Sequence, residues 1–329
     1  MNNVSRSITH RRTEHAVSVD EVVDYRSFAE PLLPVAEASV TQLQPGASPS
    51  NLAIFSSDKV SVLGLTHHAA SVGVVIINPD CYSFMWWDGP EECRINGELA
   101  EQQVLYAQGH QDGFHAAGGI RRTTGISVRR DHLASTLAAL KGVHTEDIHL
   151  DRSALRLTAE GARRFRNDMD ALMKSAILSE QALGPDAPNA SMSEAFLGVL
   201  IDAYMNATPE KDPYARSRAP EQIVRKAEER YYEAEGRPIS LADLCVAAGV
   251  SQSALYRAFH SVYDVAPLAY FHKRRLTDAR RLLLKAPLDR GAVKNAALSV
   301  GLTEMGRFSR DYRQLFGETP SATLSRDWH

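Results

Sequence analysis

The chain has 329 residues, enough for two domains with a core each. Its 44% hydrophobic and 23% charged residues are ordinary for a soluble protein, and no apolar run is long enough to span a membrane. The net charge of −3 hides an asymmetry: Arg218 to His329 holds 18 Lys+Arg against 13 Asp+Glu, a net +5, which leaves 19 against 27, a net −8, for the rest. A basic end on an acidic partner fits nucleic-acid binding by that end alone.

Taken in order, the start MNNVSRSITHRRTEHAV lacks the apolar core of a signal peptide, so residues 1–20 read as a mobile polar tail and the cytoplasm as the expected location. Val19 to Leu33 mixes acidic and apolar residues and reads as an entry helix. From Val35 onward, segments such as KVSVLGLTHH, SVGVVIINPD, CYSFMWWDG and TTGISVRR are rich in Val, Ile and aromatics and broken by Gly, Pro, Asn and Asp. Such spacing predicts a β-sandwich or barrel, with Asn96-Gly97 as a hairpin turn. Helical patterns follow at Asp131–Leu140, after Asp151 from Ser153 onward, and at Ser193–Met205. The apolar spacing of the last two must be buried somewhere, and a dimer interface over Ser153–Met205 is the expectation. These elements make one domain over 21–205. Residues 206–220, NATPEKDPYARSRAP, read as a linker, and 221–329 as a second domain that opens with a helix over Gln222–Glu235.

Within that second domain, GLTEMGRFSRDYRQLFGETP (301–320) reads as an amphipathic helix. Thr303 is the expected N-cap, Phe308, Tyr312 and Leu315 or Phe316 form an apolar side, and Arg307, Arg310 and Arg313 share another face. The pattern occurs twice. Leu255, Arg257, Phe259 and Pro267 match Phe308, Arg310, Tyr312 and Pro320 at one constant offset. A short helix precedes each copy, the first capped by a Ser240/Asp243 box. Helix, glycine turn and a second helix with polar outward residues is the helix-turn-helix plan. Between the copies, PLAYFHKRRLTDARRLLL predicts a helix of about 17 residues, a rod of about 25 Å that can place the two second helices in successive major grooves. Its Lys273, Arg274, Arg275, Arg280 and Arg281 either touch phosphates or pair with acids such as Asp278.

These residues carry a resemblance. The last hundred or so residues, and RFSRDYRQLFGETP above all, resemble the AraC/XylS family of transcription regulators. Leu302 departs from the aromatic residue the family usually has there, though it still fills an apolar site, and Pro287–Val293 departs somewhat from the usual helix entry. The resemblance implies that both motifs bind double-stranded DNA in the major groove. It also implies an α+β chain: an N-terminal cupin-like β-barrel or sandwich with helices that pair two subunits, then an all-α domain with two helix-turn-helix motifs. A homodimeric activator in the bacterial nucleoid follows from it, one that responds to a small-molecule effector and works with RNA polymerase.

A recognition helix presents its N-terminal half to the groove. In the first motif this puts Gln252, Ser253, Ala254 and Arg257 near base edges and Tyr256 and His260 toward the backbone. In the second, Met305, Gly306, Arg307, Ser309 and Arg310 lie forward and Arg313 nearer phosphates. Leu255, Phe259, Phe308 and Tyr312 are expected in the core.

Two other readings compete. One is a cupin-type metal enzyme with a DNA-binding tail, since His67, His68, His110 and His115 lie in the β region. Adjacent His67 and His68 point to opposite faces of a strand, however, and no carboxylate has a convincing spacing. GxSxG, P-loop and GxGxxG patterns are absent, so no catalytic residue, cofactor or metal is expected. The other is a constitutive DNA-binding protein with no effector. Trp86 and Trp87 alternate faces, with core packing the favoured fate of each. Arg121-Arg122 and Arg129-Arg130 either meet an anionic effector or face water, and water is favoured. Cys81, Cys93 and Cys245 show no CxxC spacing and read as reduced, inert thiols rather than a Cys81–Cys93 redox pair.

Overall fold

The computed structural model describes residues 16–22, 35–46, 50–108, 113–183, 190–209 and 218–325. The N-terminal domain is built on two antiparallel sheets. Among the described residues the larger has eight strands in the order β1 (Ala16–Val22), β3 (Ser50–Ser56), β4 (Val60–His67), β11 (Arg121–Arg129), β6 (Cys81–Asp88), β9 (Val104–Gln108), β12 (Ala154–Arg156) and β13 (Thr208–Pro209). The smaller has five: β2 (Val35–Gln42), β5 (Ser71–Ile77), β10 (Phe114–Gly118), β7 (Cys93–Ile95) and β8 (Glu98–Leu99). The predicted hairpin joins β7 to β8, and Asn96 and Gly97 both take positive φ, 50° and 79°.

Strand β6, CYSFMWWD, explains the layering. Cys81, Met85 and Trp87 enter an apolar layer with Ile77, Ile95, Tyr106 and Phe114 between the two sheets. Tyr82, Phe84 and Trp86 point the other way, onto helices. Alternation gives no polar face because both sides of this strand are covered. Both tryptophans are core residues, and Trp86 meets Phe165 edge-on at 4.8 Å.

The outer face of the large sheet is covered by α1 (Arg130–Lys141), α2 (Ala159–Leu183) and α3 (Ala190–Asn206). Phe165, Met169 and Met173 of α2 and Phe196, Leu200 and Tyr204 of α3 supply the apolar stripe. The helical stripe expected at a subunit interface therefore lies on this chain's own sheet. The N-terminal side of that stretch is also corrected. Ala154–Arg156 is a strand paired with β9, and the helix starts only at Ala159, where Thr158 Oγ1 accepts from the Gly161 amide at 3.0 Å. Likewise Ala16–Val22 is a strand paired with β3, not the start of a helix or a tail; residues 23–34, with the rest of the expected entry helix, lie outside the described residues, as do 1–15 of the tail and 210–217 of the linker.

The outer face of the small sheet carries the C-terminal domain. This comprises α4 (Arg218–Glu233), α5 (Leu241–Ala248), α6 (Gln252–Tyr263), α7 (Pro267–Lys285), α8 (Ala292–Ser299), α9 (Met305–Phe316) and α10 (Pro320–Leu324). It has two cores strung along α7. The first gathers Val224, Leu244, Leu255, Phe259 and Tyr263 around Tyr270 and Phe271, and includes Val72 and Ala117 of the small sheet. The second gathers Leu276, Ala279 and Leu283 with Ala297, Phe308, Tyr312 and Phe316. Leu302 is packed against this second core, as its apolar character predicts. Among the described residues no helix is long and apolar enough to cross a membrane.

Candidate nucleic-acid interface

Each helix-turn-helix is set locally before it is packed. Ser240 caps α5 in the expected reciprocal box, its hydroxyl accepting from the Asp243 amide while the Asp243 carboxylate accepts from Ser240 N at 2.8 Å. Ser251 caps α6 by accepting from the Ala254 amide at 3.3 Å. The second motif differs from expectation: the N-cap of α9 is Glu304, which makes no side-chain cap bond, and Thr303 lies one residue outside. In both second helices the apolar positions fall inward, Leu255, Ala258 and Phe259 in α6 and Phe308, Tyr312 and Leu315 in α9.

The opposite sides face out. Gln252, Ser253, Arg257 and His260 of α6 are exposed, while Ala254 and Tyr256 are half-buried. Gly306, Arg307, Ser309, Arg310 and Arg313 of α9 are exposed. Met305 is half-buried and packs on the second core. The arginines divide by partner. Arg307 lies 3.6 Å from Asp311, whose carboxylate also meets His272 Nε2 at 2.9 Å. Arg257, Arg310 and Arg313 make no ion pair among the described residues. Unpaired guanidiniums on an exposed helix face are fit to meet phosphate oxygens or guanine edges without first breaking a contact.

The basic run on α7 has other work. Arg274 is buried, 3.5 Å from Asp278, and donates to Tyr232 Oη and to Thr41 Oγ1 of β2. Arg280 is buried against Glu318 at 2.5 Å and lies over the Phe316 ring. Arg281 also reaches Asp278, at 3.5 Å. Lys273 donates to the Leu43 carbonyl. So Arg274 and Arg280 are not phosphate contacts; a buried guanidinium needs an acid beside it, and α7 and the segment before α10 supply one each.

Two glycines bring the motifs together. Gly236, after α4, and Gly301, after α8, both have positive φ, 81° and 77°. A Cβ on Gly301 would stand 2.2 Å from the Gly236 carbonyl oxygen, and one on Gly236 would stand 2.1 Å from that of Ser299. The two turns therefore pack backbone on backbone.

The C-terminal domain also docks on the small sheet through a buried polar chain. Tyr270 and Tyr263 both donate to Glu228 Oε1, Tyr263 at 3.1 Å, and His115 Nδ1 on β10 lies 2.8 Å from the Tyr263 hydroxyl. Because the Tyr263 proton points to Glu228, His115 is the donor in that contact and is the neutral Nδ1–H form. Burial pulls its pKa below the ordinary histidine value, against the smaller opposing pull of Glu228. Burial followed by the Glu228 charge raises both tyrosines well above theirs.

The other singled-out residues have structural places. His67 is buried, 2.9 Å from Ser71 Oγ, while His68 is exposed; His110 lies outside the described residues. Arg121, expected to face water, is 2% exposed and donates to the carbonyls of Ser71, Ala116, Gly118 and Gly119, tying a corner of the small sheet to the large one. Arg122 pairs with Asp170 of α2. Arg129 pairs with Asp131 at 3.3 Å, and Arg130 donates to the Pro79 carbonyl. Burial pushes the Cys81 and Cys93 thiols up to about 11, which leaves little reactive thiolate near neutrality.

The interdomain chain was not among the residues picked out in sequence. Glu228 offers a signal: it follows Ala227 and lies one turn from Val224, an acid on the apolar side of α4.

Comparison with known proteins agrees with the C-terminal geometry. The profile of a helix-turn-helix domain family matches residues 244–326. XylDLEGF operon transcriptional activator 2 of Pseudomonas putida is 36% identical over 89 residues, which is 27% of this chain and 57% of that protein. A probable AraC family transcriptional regulator from Rhodopseudomonas palustris is 38% identical over 32% of this chain and 95% of the solved chain, with a TM-score of 0.28. The AraC-like transcriptional activator CuxR aligns over 80% of this chain and 94% of its own at 12% identity, with a TM-score of 0.37. The match thus spans little more than half of the first relative, and about a quarter of the length of several others. Over residues 244–326 the chain carries the double helix-turn-helix domain of the AraC/XylS family.

Proposed function

We propose that this chain is a sequence-specific DNA-binding transcription regulator of the activator type, whose N-terminal domain senses a small-molecule effector. One observation carries the reading: two equivalent helices, α6 and α9, each present an exposed arginine that makes no ion pair among the described residues, at the same repeat position, Arg257 and Arg310. The 19-residue α7 joins them as a rod of about 28 Å, close to the ~34 Å between successive major grooves on one face of DNA. Base edges are read by Arg257 and Arg310, with Gln252, Ser253 and Arg307 beside them, and Arg313 sits over a phosphate. Selection from random duplexes with the full chain, followed by anisotropy titrations at several salt concentrations, tests this. A single enriched motif with steep salt dependence supports the reading, and binding that ignores salt and sequence refutes it.

The effector is assigned to a cavity of about 420 Å³ between the domains, bordered by Leu43, Arg94, Glu92, Tyr263 and Lys273. The mixed charges of this lining suit a small polar molecule. A thermal-shift screen of metabolites tests it, since a ligand that prefers the folded state raises its apparent stability. Homodimerisation is assigned to the outward sides of α2 and α3, where Leu178 and Met205 are exposed, and contact with RNA polymerase to the DNA-bound state.

A further inference from the structure

The last carbonyls of a helix have no partner within it. At the end of α9 the Leu315 carbonyl oxygen accepts instead from the N-terminal domain: from Gln42 Nε2 at 2.9 Å and from the Gly46 amide at 3.0 Å. The Gln42 amide is itself fixed, since its nitrogen also lies 2.8 Å from the carbonyl oxygens of Gln44 and of Gly46, so that its two N–H groups are shared among three acceptors. The segment is anchored from behind, where the Leu43 amide donates to the Ala70 carbonyl at 2.7 Å. It also grips α7, because Thr41 Oγ1 accepts from Arg274 at 3.1 Å and the Leu43 carbonyl accepts from Lys273.

The first reading helix is held in a similar way. Tyr263 is the last residue of α6, and its hydroxyl is bound by His115 of β10 at 2.8 Å. Strands β2 and β10 are separated in the small sheet only by β5. One sheet therefore grips the C-terminal ends of both reading helices, at strands about 10 Å apart by ordinary strand spacing. The two cores of the C-terminal domain are separate clusters that meet along α7, so this external grip adds to the joint made by α7 and the Gly236–Gly301 contact.

We infer that the small sheet is a template that sets the separation of the two reading helices on DNA, and that Gln42 is the positioning residue for α9. The inference rests on the DNA-reading function proposed above. It goes further by assigning to a residue of the N-terminal domain, distant from any base, control over the spacing between the two halves of the binding site. Leu43 and Gln44, in the same segment, also border the interdomain cavity, so a molecule bound there would press on this grip.

The test uses the full chain. Sites are selected from random duplexes with the wild type, and the enriched site is then rebuilt with its two halves one base pair closer and one base pair further apart. Affinities for the three duplexes are measured with wild type, Gln42→Ala, Gln42→Glu and, as a control, Arg313→Ala. The wild type is expected to favour one spacing. In Gln42→Ala that preference falls about three- to tenfold, the effect of losing one hydrogen bond between the domains, while the favoured half-site sequences stay the same. Gln42→Glu, which turns a carboxylate toward the Leu315 carbonyl, loses at least as much. Arg313→Ala weakens all three duplexes alike. Should Gln42→Ala fail to fold, Gln42→Asn keeps the amide one methylene short of Leu315 and reads the same quantity. Spacing preference unchanged in folded Gln42 variants overturns the inference while leaving DNA reading intact. Failure of the wild type to enrich any sequence overturns both.

Discussion

Replacing Gly301 by alanine tests the joint between the two motifs. The new Cβ would lie 2.2 Å from the Gly236 carbonyl oxygen, where ordinary contact begins near 3.4 Å. The obstacle is backbone, so one turn has to retreat by more than an ångström. Gly301 also sits at φ 77°, a region that costs an L-residue about 1–2 kcal/mol. Overpacking adds about 1–3 kcal/mol, so the loss is roughly 2–5 kcal/mol in total. Gly306→Ala is the matched control: it lies in the first turn of α9 with nothing within 4 Å of a Cβ, and the same chemical change there is expected to stabilise by about 0.5 kcal/mol. Urea unfolding of the full chain, followed by far-ultraviolet circular dichroism, measures both. The packing argument is refuted if Gly301→Ala unfolds within about 0.5 kcal/mol of wild type, or if Gly306→Ala is the more damaging of the two.

Three further outcomes follow from the buried groups. Tyr263→Phe removes the hydroxyl between His115 and Glu228, strands a buried donor, and should cost about 1–3 kcal/mol in the same urea assay; a neutral substitution would mean the chain of contacts is not formed. His67 and His115 are held neutral by burial, so the unfolded chain binds protons first as pH drops through the ordinary histidine value near 6.5. Stability should thus be flat above that value and fall below it, and His115→Gln should flatten the fall; a stability that rises on acidification contradicts the burial argument. Cys81 and Cys93, with thiols pushed up to about 11, should resist alkylation until denaturant is added, and rapid labelling of either in the native chain would count against their packing.

The C-terminal domain could be read from sequence because its information is local. Apolar spacing in α6 and α9 fixes which side faces in, and the exposed arginines follow from that geometry. The strand-rich N-terminal domain was also readable in kind, though not in order: its eight-stranded sheet pairs β1 with β3 and β9 with β12 across long stretches that no local pattern reveals. Misreadings occurred where local pattern was ambiguous or partners were remote. The segments AVSVDEV and ALR carry apolar residues that suit a helix as well as a strand, and pairing with β3 and β9 decided for strand. Arg121 reads in sequence as facing water because surface arginines usually do, and for Arg274 pairing with Asp278, one of its two sequence readings, is the one formed. What local pattern does not show is their remote partners, the Ser71 carbonyl for Arg121 and Thr41 for Arg274, brought near by the tertiary fold. Thr303 lost the cap of α9 to Glu304 by a single residue, the margin within which helix ends shift.

DNA reading by this chain turns on what Arg257 and Arg310 do compared with Arg313. Arg257→Ala, Arg310→Ala and Arg313→Ala are to be titrated against the selected site, its single-base variants and random DNA at several salt concentrations. Loss of Arg257 or Arg310 is expected to cost about 1–3 kcal/mol on the selected site and to relax preference at one base position, while Arg313→Ala weakens every duplex alike and flattens the salt slope by about one. The opposite pattern, with Arg313→Ala changing base preference and the other two lowering all affinities equally, would contradict the assignment of α6 and α9 as the helices that read DNA through these side chains.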